Sequence, residues 1–123
     1  MIALAPATRV YAYLKPADMR KSFAGLSGLV ELELGQRVEA GALFLFFNRR
    51  RNSVKVLFFT GDGLAIFYRR LERGTFELPK AVADCPDSSG VEVTASDLSL
   101  ILEGIELTSV KRRKRWRPAI TTV

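Results

Sequence analysis

The stretch from Gly41 to Pro79 constrains the fold more than any other part of the chain. It holds three apolar runs separated by two breaks. The first break, Asn48-Arg49-Arg50-Arg51-Asn52-Ser53, sets three cations between residues that favour turns. The second, Gly61-Asp62-Gly63, has the backbone freedom of a tight hairpin, since Asn, Asp and Gly tolerate the positive φ such turns need. The pattern predicts a three-stranded antiparallel meander with a cationic tip at Arg49, Arg50 and Arg51. A second basic cluster, Arg69, Arg70 and Arg73, follows at its far end. Strand alternation puts Val54, Val56 and Phe58 on one face and Lys55, Leu57 and Phe59 on the other. Leu64, Ile66 and Tyr68 alternate in the same way with Ala65 and Phe67. Both faces are therefore largely apolar, and a sheet buried on both sides needs cover on both.

The flanking segments supply that cover sparingly. Arg9 to Leu14 alternates β-favouring residues and reads as a short strand ended before Pro16. Asp18 suits the N-cap of a helix whose apolar stripe is Met19, Phe23, Leu26, Leu29 or Val30, and Leu34, with Gly35 as its stop. Gly25 and Gly28 inside it each cost about 1 kcal/mol against alanine. Arg20 and Lys21 sit near the helix start, where the macrodipole disfavours cations unless an anion or a nearby carboxylate relieves them. Residues 80–90, punctuated by Pro, Asp, Ser and Gly, read as a surface connection, and Cys85 within it as an incidental thiol. Val91-Glu92-Val93 reads as a strand. Thr94-Ala95-Ser96-Asp97 fits a capping box, opening a short second helix with a stripe of Leu98, Ile101, Leu102 and Ile105, which Gly104 ends. The fold expected is α+β: a small antiparallel meander, one long packed helix, a short second helix and a basic C-terminal arm. Residues 1–110 form a single domain and 111–123 the arm. One long and one short helix cover two apolar faces thinly, so a homodimer is expected to complete the burial.

At 123 residues with one cysteine and no histidine, the chain lacks the common metal ligands and the His-paired nucleophiles. No metal or cofactor is expected. A single thiol gives no internal disulfide, and no apolar run approaches the roughly 18 residues of a membrane span. A cytoplasmic protein with no membrane partner is the expectation. The formal charge is +6, from 19 Lys and Arg against 13 Asp and Glu. Its distribution matters more than its size. Lys111, Arg112, Arg113, Lys114, Arg115 and Arg117 crowd around Trp116 with no acid among them, which fits a polyanion partner.

Three segments carry a resemblance to a known family. The first is Asp18-Met19-Arg20-Lys21-Ser22-Phe23 with Gly25-Leu26. The second runs from Leu43-Phe44 through Asn48 to Arg51, Lys55-Val56-Leu57, Gly61 and Gly63, to Arg70-Leu71-Glu72-Arg73-Gly74 and Phe76. The third is Leu102-Glu103-Gly104-Ile105 followed by Lys114-Arg115-Trp116-Arg117-Pro118. Together they resemble the TnpB accessory proteins, the second open reading frames, of insertion sequences of the "sixty-six" family, which are distinct from the RNA-guided nucleases sharing the TnpB name. The likeness covers nearly the whole chain in order and spacing. It departs at Ala24 and Thr60, where the family usually carries acids. The resemblance implies a role in transposition beside a separate, larger transposase that carries the strand-transfer chemistry.

The expected function is that of a non-catalytic nucleic-acid-binding accessory protein. The tip Arg49, Arg50, Arg51, the cluster Arg69, Arg70, Arg73 and the arm Lys111 to Arg117 would hold phosphates, with Arg20 and Lys21 as a secondary contact. DNA is the expected ligand, and RNA is the other polyanion the same chemistry fits. Trp116 suits either stacking on an exposed base or pinning the tail to the body. The alternative is a protein-interaction module that bridges or regulates the cognate transposase without touching DNA. A metal-dependent nuclease is the least favoured reading, because Asp18, Asp62 and Glu72 show no spacing that marks a metal site.

Overall fold

The computed structural model describes residues 8–78 and 89–102, with backbone alone at 103, 105–106 and 111–112. The elements are β1 (Val10–Tyr13), α1 (Phe23–Leu32), a single 3₁₀ turn (Val38–Ala40), β2 (Leu43–Phe47), β3 (Ser53–Phe59), β4 (Leu64–Arg70), β5 (Gly90–Val93) and α2 (Ala95–Glu103). Two short strands, β6 (Ile105–Glu106) and β7 (Lys111–Arg112), follow. The class is the α+β expected.

The meander forms as its breaks predict. β2, β3 and β4 pair antiparallel in sequence order, with Phe44 opposite Leu57 and Phe59 opposite Leu64. β1 then adds to the other side of β2 in parallel, Val10 against Leu43, and β5 pairs antiparallel with β1. The result is one five-stranded sheet in the order β4-β3-β2-β1-β5, antiparallel except at β1–β2. The parallel pair requires a crossover, and α1 with the 3₁₀ turn provides it. β6 and β7 make a separate two-stranded ribbon, Glu106 opposite Lys111. Ile105, expected on the stripe of the second helix, instead lies in β6, because that helix ends at Glu103.

Each face of the sheet has its own core, and the alternation read from β3 and β4 decides which residue joins which. Tyr13, Phe44, Phe46 and Leu57 pack with Leu26 and Val30 of α1. Val10, Ala12, Leu43, Leu45, Val54, Val56 and Val93 pack on the opposite face with Leu98 and Ile101 of α2 and with Phe76 and Leu78. Burying a side chain such as Phe44 or Leu45 fully, as here, stabilises the fold by roughly 1.5–3 kcal/mol each. Both faces thus receive a helix from the same chain. The α2 face is further closed by the segment after β4, which the sequence did not reveal as cover.

α1 departs from expectation at its start. It begins at Phe23 after Ser22, not beside Asp18, and Ser22 makes no side-chain cap. Asp18 instead closes a turn, its carboxylate accepting from the Arg20 main-chain N–H at 2.9 Å while its carbonyl accepts from Lys21 N–H at 3.0 Å. The Arg20 guanidinium takes up both oxygens of this carboxylate, and the Asp18–Lys21 turn stands apart from the helix that begins at Phe23. The shortened helix buries only Leu26 and Val30 fully, and Phe23, expected in the core, is 45% exposed. The stop is as expected, with Gly35 at φ +62°. Gly25 and Gly28 do not bring the helix close to the sheet: a Cβ at Gly28 would meet nothing within 4 Å, and one at Gly25 only the Lys21 side chain.

The capping box is intact. Asp97 N–H donates to Thr94 Oγ1 at 3.0 Å, and Thr94 N–H points back to Asp97 Oδ2 at 3.4 Å. No helix among the described residues is long and apolar enough to cross a membrane.

Candidate nucleic-acid interface

The tip is built around Asn48. Its Oδ1 accepts from the main-chain N–H groups of Asn52 (3.0 Å) and Ser53 (3.1 Å), and its Nδ2 donates to Asn52 Oδ1 at 2.6 Å. Its carbonyl accepts from Arg51 N–H at 3.0 Å. These bonds wrap the four-residue loop onto one side chain, so Arg49 and Arg50 are carried outward at the apex, exposed. Arg51 takes the left-handed conformation, φ 57°, which costs a non-glycine residue roughly 1–2 kcal/mol. Its guanidinium lies 6.0 Å from the Phe47 ring centroid, within reach of a cation–π attraction.

The cluster Arg69, Arg70 and Arg73 is far along the chain but close in space. β4 runs antiparallel to β3, so Arg70 returns to lie opposite Ser53, the first residue after the tip. Leu71 N–H then donates to the Asn52 carbonyl (2.8 Å) and Phe76 N–H to the Arg51 carbonyl (2.7 Å). The segment carrying Arg73 is therefore tied to the tip at both ends. A meander with two turns places its third strand's end beside its first turn, and that geometry converts two clusters into one.

The six arginines differ in what holds them. Arg69 faces α2 and donates from Nη1 to the Leu102 carbonyl, so it ties β4 to the end of that helix. Arg51 is half-buried against Phe47. Arg49, Arg50, Arg70 and Arg73 are exposed and make no ion pair with any described residue.

Because β1 is parallel to β2, its C-terminal end reaches the same edge. Tyr13, Leu14, Lys15 and Pro16 line a cavity of about 200 Å³ together with Phe47, Asn48, Arg49 and Arg51. Lys15 belongs to this end and was missed in the sequence, where it stands alone before a proline. It is neutralised by Glu33 at 3.1 Å, whose hydrogen bond and charge push the lysine pKa up while the lysine pulls the carboxyl of Glu33 down. Arg20 is likewise spent on Asp18 at 2.7 Å. Its hydrogen bonds, side chain first and main chain second, hold that carboxyl down to about 2. The nearby carboxylate that the sequence called for is Asp18. Lys21 is exposed, and its carbonyl accepts from Lys55 Nζ at 2.8 Å. Lys55 is itself buried, 5.0 Å from the Tyr68 ring centroid.

Residues 113–117, with Trp116, lie outside the described residues, as does Cys85. Lys111 and Arg112 contribute their backbone to β7. Asp62 accepts from Thr60 Oγ1 at 2.9 Å within its own turn. Among the described residues, no group of three His, Cys, Asp or Glu side chains is placed to hold a metal ion.

A family model described as IS66 Orf2 like protein matches residues 8–112. An uncharacterized protein y4hO from Sinorhizobium fredii (strain NBRC 101917 / NGR234) is 31% identical over 110 residues, spanning 89% of this chain and 90% of the relative. Uncharacterized protein y4jC from the same organism is 26% identical over 118 residues, spanning 96% of this chain and 97% of the relative. No solved structure matches.

Proposed function

The chain belongs to the IS66 Orf2-like family of insertion-sequence accessory proteins, and from that premise we propose that it serves transposition as a non-catalytic DNA-binding protein. It grips the phosphate backbone with the basic end of its sheet, and the cations of Lys111 to Arg117 add to the hold. The observation supporting this reading is the convergence at one end of the sheet of Arg49, Arg50, Arg70 and Arg73, all exposed and without an ion pair among the described residues. Arginines fixed on a hydrogen-bonded turn are pre-organised for phosphate, and their planar forks suit its geometry. Neighbouring Lys15 and Arg20 already have carboxylates and contribute less.

Contacts of this kind position a protein on DNA without reading sequence. Affinity is therefore expected to be steeply salt-dependent and similar for most duplexes. Engaging roughly six phosphates gives a slope of log affinity against log salt of about −5.

The test is a titration against the element's terminal DNA, unrelated duplex and duplex RNA across salt, with and without the cognate transposase. A steep slope that flattens when Arg49, Arg50 and Arg73 become Ala supports the reading. Binding that ignores salt, or none at low salt, overturns it. Retention by the transposase after nuclease treatment, without any DNA affinity, replaces it with the bridging role.

A further inference from the structure

β4 lies at an edge of the sheet and, among the described residues, pairs with β3 alone. Its seven residues hold an unbroken register and contain no proline. A long regular edge of this kind is a row of main-chain donors and acceptors ready to pair with another strand.

The phase of that row follows from the two ends of the β3–β4 ladder. Thr60 N–H donates to the Gly63 carbonyl, and Leu71 N–H to the Asn52 carbonyl, both at 2.8 Å. Hydrogen-bonded pairs alternate along an antiparallel ladder, so Ala65, Phe67 and Arg69 are the residues bonded to β3. Leu64, Ile66, Tyr68 and Arg70 therefore turn their N–H and C=O groups to the open edge. Their side chains share the α1 face, where Leu64 is 37% and Tyr68 52% exposed.

This strand is complementary to itself in one register. With two copies antiparallel and Ile66 facing the partner's Ile66, Leu64 faces the partner's Tyr68 and Arg70 faces the partner's Asp62. Leu64, Ile66 and Tyr68 meet residues that likewise present their edge groups, the apolar rows meet across the seam, and the Arg70 side chain is set beside the partner's Asp62, an acid in its turn. A slip of one residue would set outward groups against inward ones and reverse the faces. A further slip, centring on Phe67, would bring Asp62 against the partner's Glu72 and Arg70 against the partner's Leu64. Centring on Ala65 shortens the ladder and leaves Arg70 opposite Thr60.

We infer that the chain forms a two-fold homodimer by joining two β4 strands edge to edge in the register centred on Ile66. Two five-stranded sheets become one of ten. The same patch serves both copies, as a closed two-fold contact requires. Burial of the sheet faces is supplied by α1 and α2 within each copy, so the dimer satisfies the edge and the exposed Leu64 and Tyr68 row.

Sedimentation of the full-length chain at micromolar concentration tests this, with twice the chain's mass as the expected result. Arg70→Asp sets acid against acid at both ends of the seam, and Asp62→Arg sets cation against cation. Each weakens dimerisation about tenfold or more, and the two combined restore it. Leu64→Pro removes one edge N–H without touching the β3 ladder, so it shifts the chain toward monomer with an unchanged circular dichroism spectrum. A monomeric wild type, whatever else it captures, overturns the inference. So does a charge-swapped pair no more dimeric than its single variants, or a Leu64→Pro chain as dimeric as wild type.

Discussion

Asn48–Ser53 and Thr60–Gly63 both reverse the chain between antiparallel strands, yet they are built on different principles. The second is minimal. Thr60 N–H bonds to the Gly63 carbonyl, and Gly61 alone takes positive φ, at 98°, the pattern of a two-residue turn with glycine first. The threonine hydroxyl sits within reach of Asp62 Oδ1 and the Gly63 carbonyl, so Thr60, where the family usually carries an acid, still serves the turn. The first is over-determined. One amide side chain organises it, a non-glycine residue is held in left-handed geometry, and two main-chain bonds from the segment after β4 lock it from outside. The difference teaches where the molecule keeps its rigidity: at the turn that carries cations, and not at the one that only turns.

Substitutions can break or sharpen this contrast. Asn48→Ala should have the largest effect, lowering stability by about 2 kcal/mol, because half-buried N–H groups lose their acceptor. Urea denaturation would read it, and a midpoint unchanged from wild type would remove the distinction between the turns. Arg49→Ala with Arg50→Ala should leave that midpoint alone, lower DNA affinity about tenfold and flatten the salt slope by roughly 2. Gly61→Ala should destabilise by about 1 kcal/mol through its positive φ, without changing DNA binding. Arg51→Gly should be more stable than Arg51→Ala by about 1 kcal/mol, since both lose the Phe47 contact but only alanine keeps the backbone strain. Thr60→Val, which removes the hydroxyl that reaches Asp62 and the Gly63 carbonyl, should cost about 0.5 kcal/mol, the low end for an exposed hydrogen bond. If it costs as much as Asn48→Ala, the simpler turn is not simple.

Much of the fold was legible because it depends on local signals. The two breaks fixed the meander, alternation assigned Val54, Val56 and Leu57 to their faces, and Thr94 with Asp97 marked the second helix. What stayed hidden depends on long-range partners. Asp18 looks like a helix cap from its neighbours alone, and its diversion to the Arg20 guanidinium and main-chain N–H is a choice between equally local options. The parallel docking of β1 on β2 has no sequence signature, since the residues that select it are separated by a helix. At the candidate site, the tip was visible as a run of cations, but its union with Arg70 and Arg73 was not. That union follows from strand direction and register, which no single stretch of sequence carries. Nor does a row of arginines reveal that Arg51 and Arg69 are committed to Phe47 and Leu102 while their neighbours have no ion pair among the described residues.

The position of β1 has a consequence for the order in which the chain can fold as it is made. Val10 pairs with Leu43 on one side and with Val93 on the other. β1 is thus made before both of its neighbours and waits for each of them. β2, β3 and β4 are contiguous and can zip as soon as the second turn has emerged, because closing short loops is fast and costs little entropy. Until residues 90–101 arrive, β1 has only β2 as a strand partner, and the second face of the sheet has Phe76 and Leu78 as cover without Leu98 and Ile101. At that stage the nascent chain is a closed meander with one unfinished side, and β5 and α2 close on it as a latch.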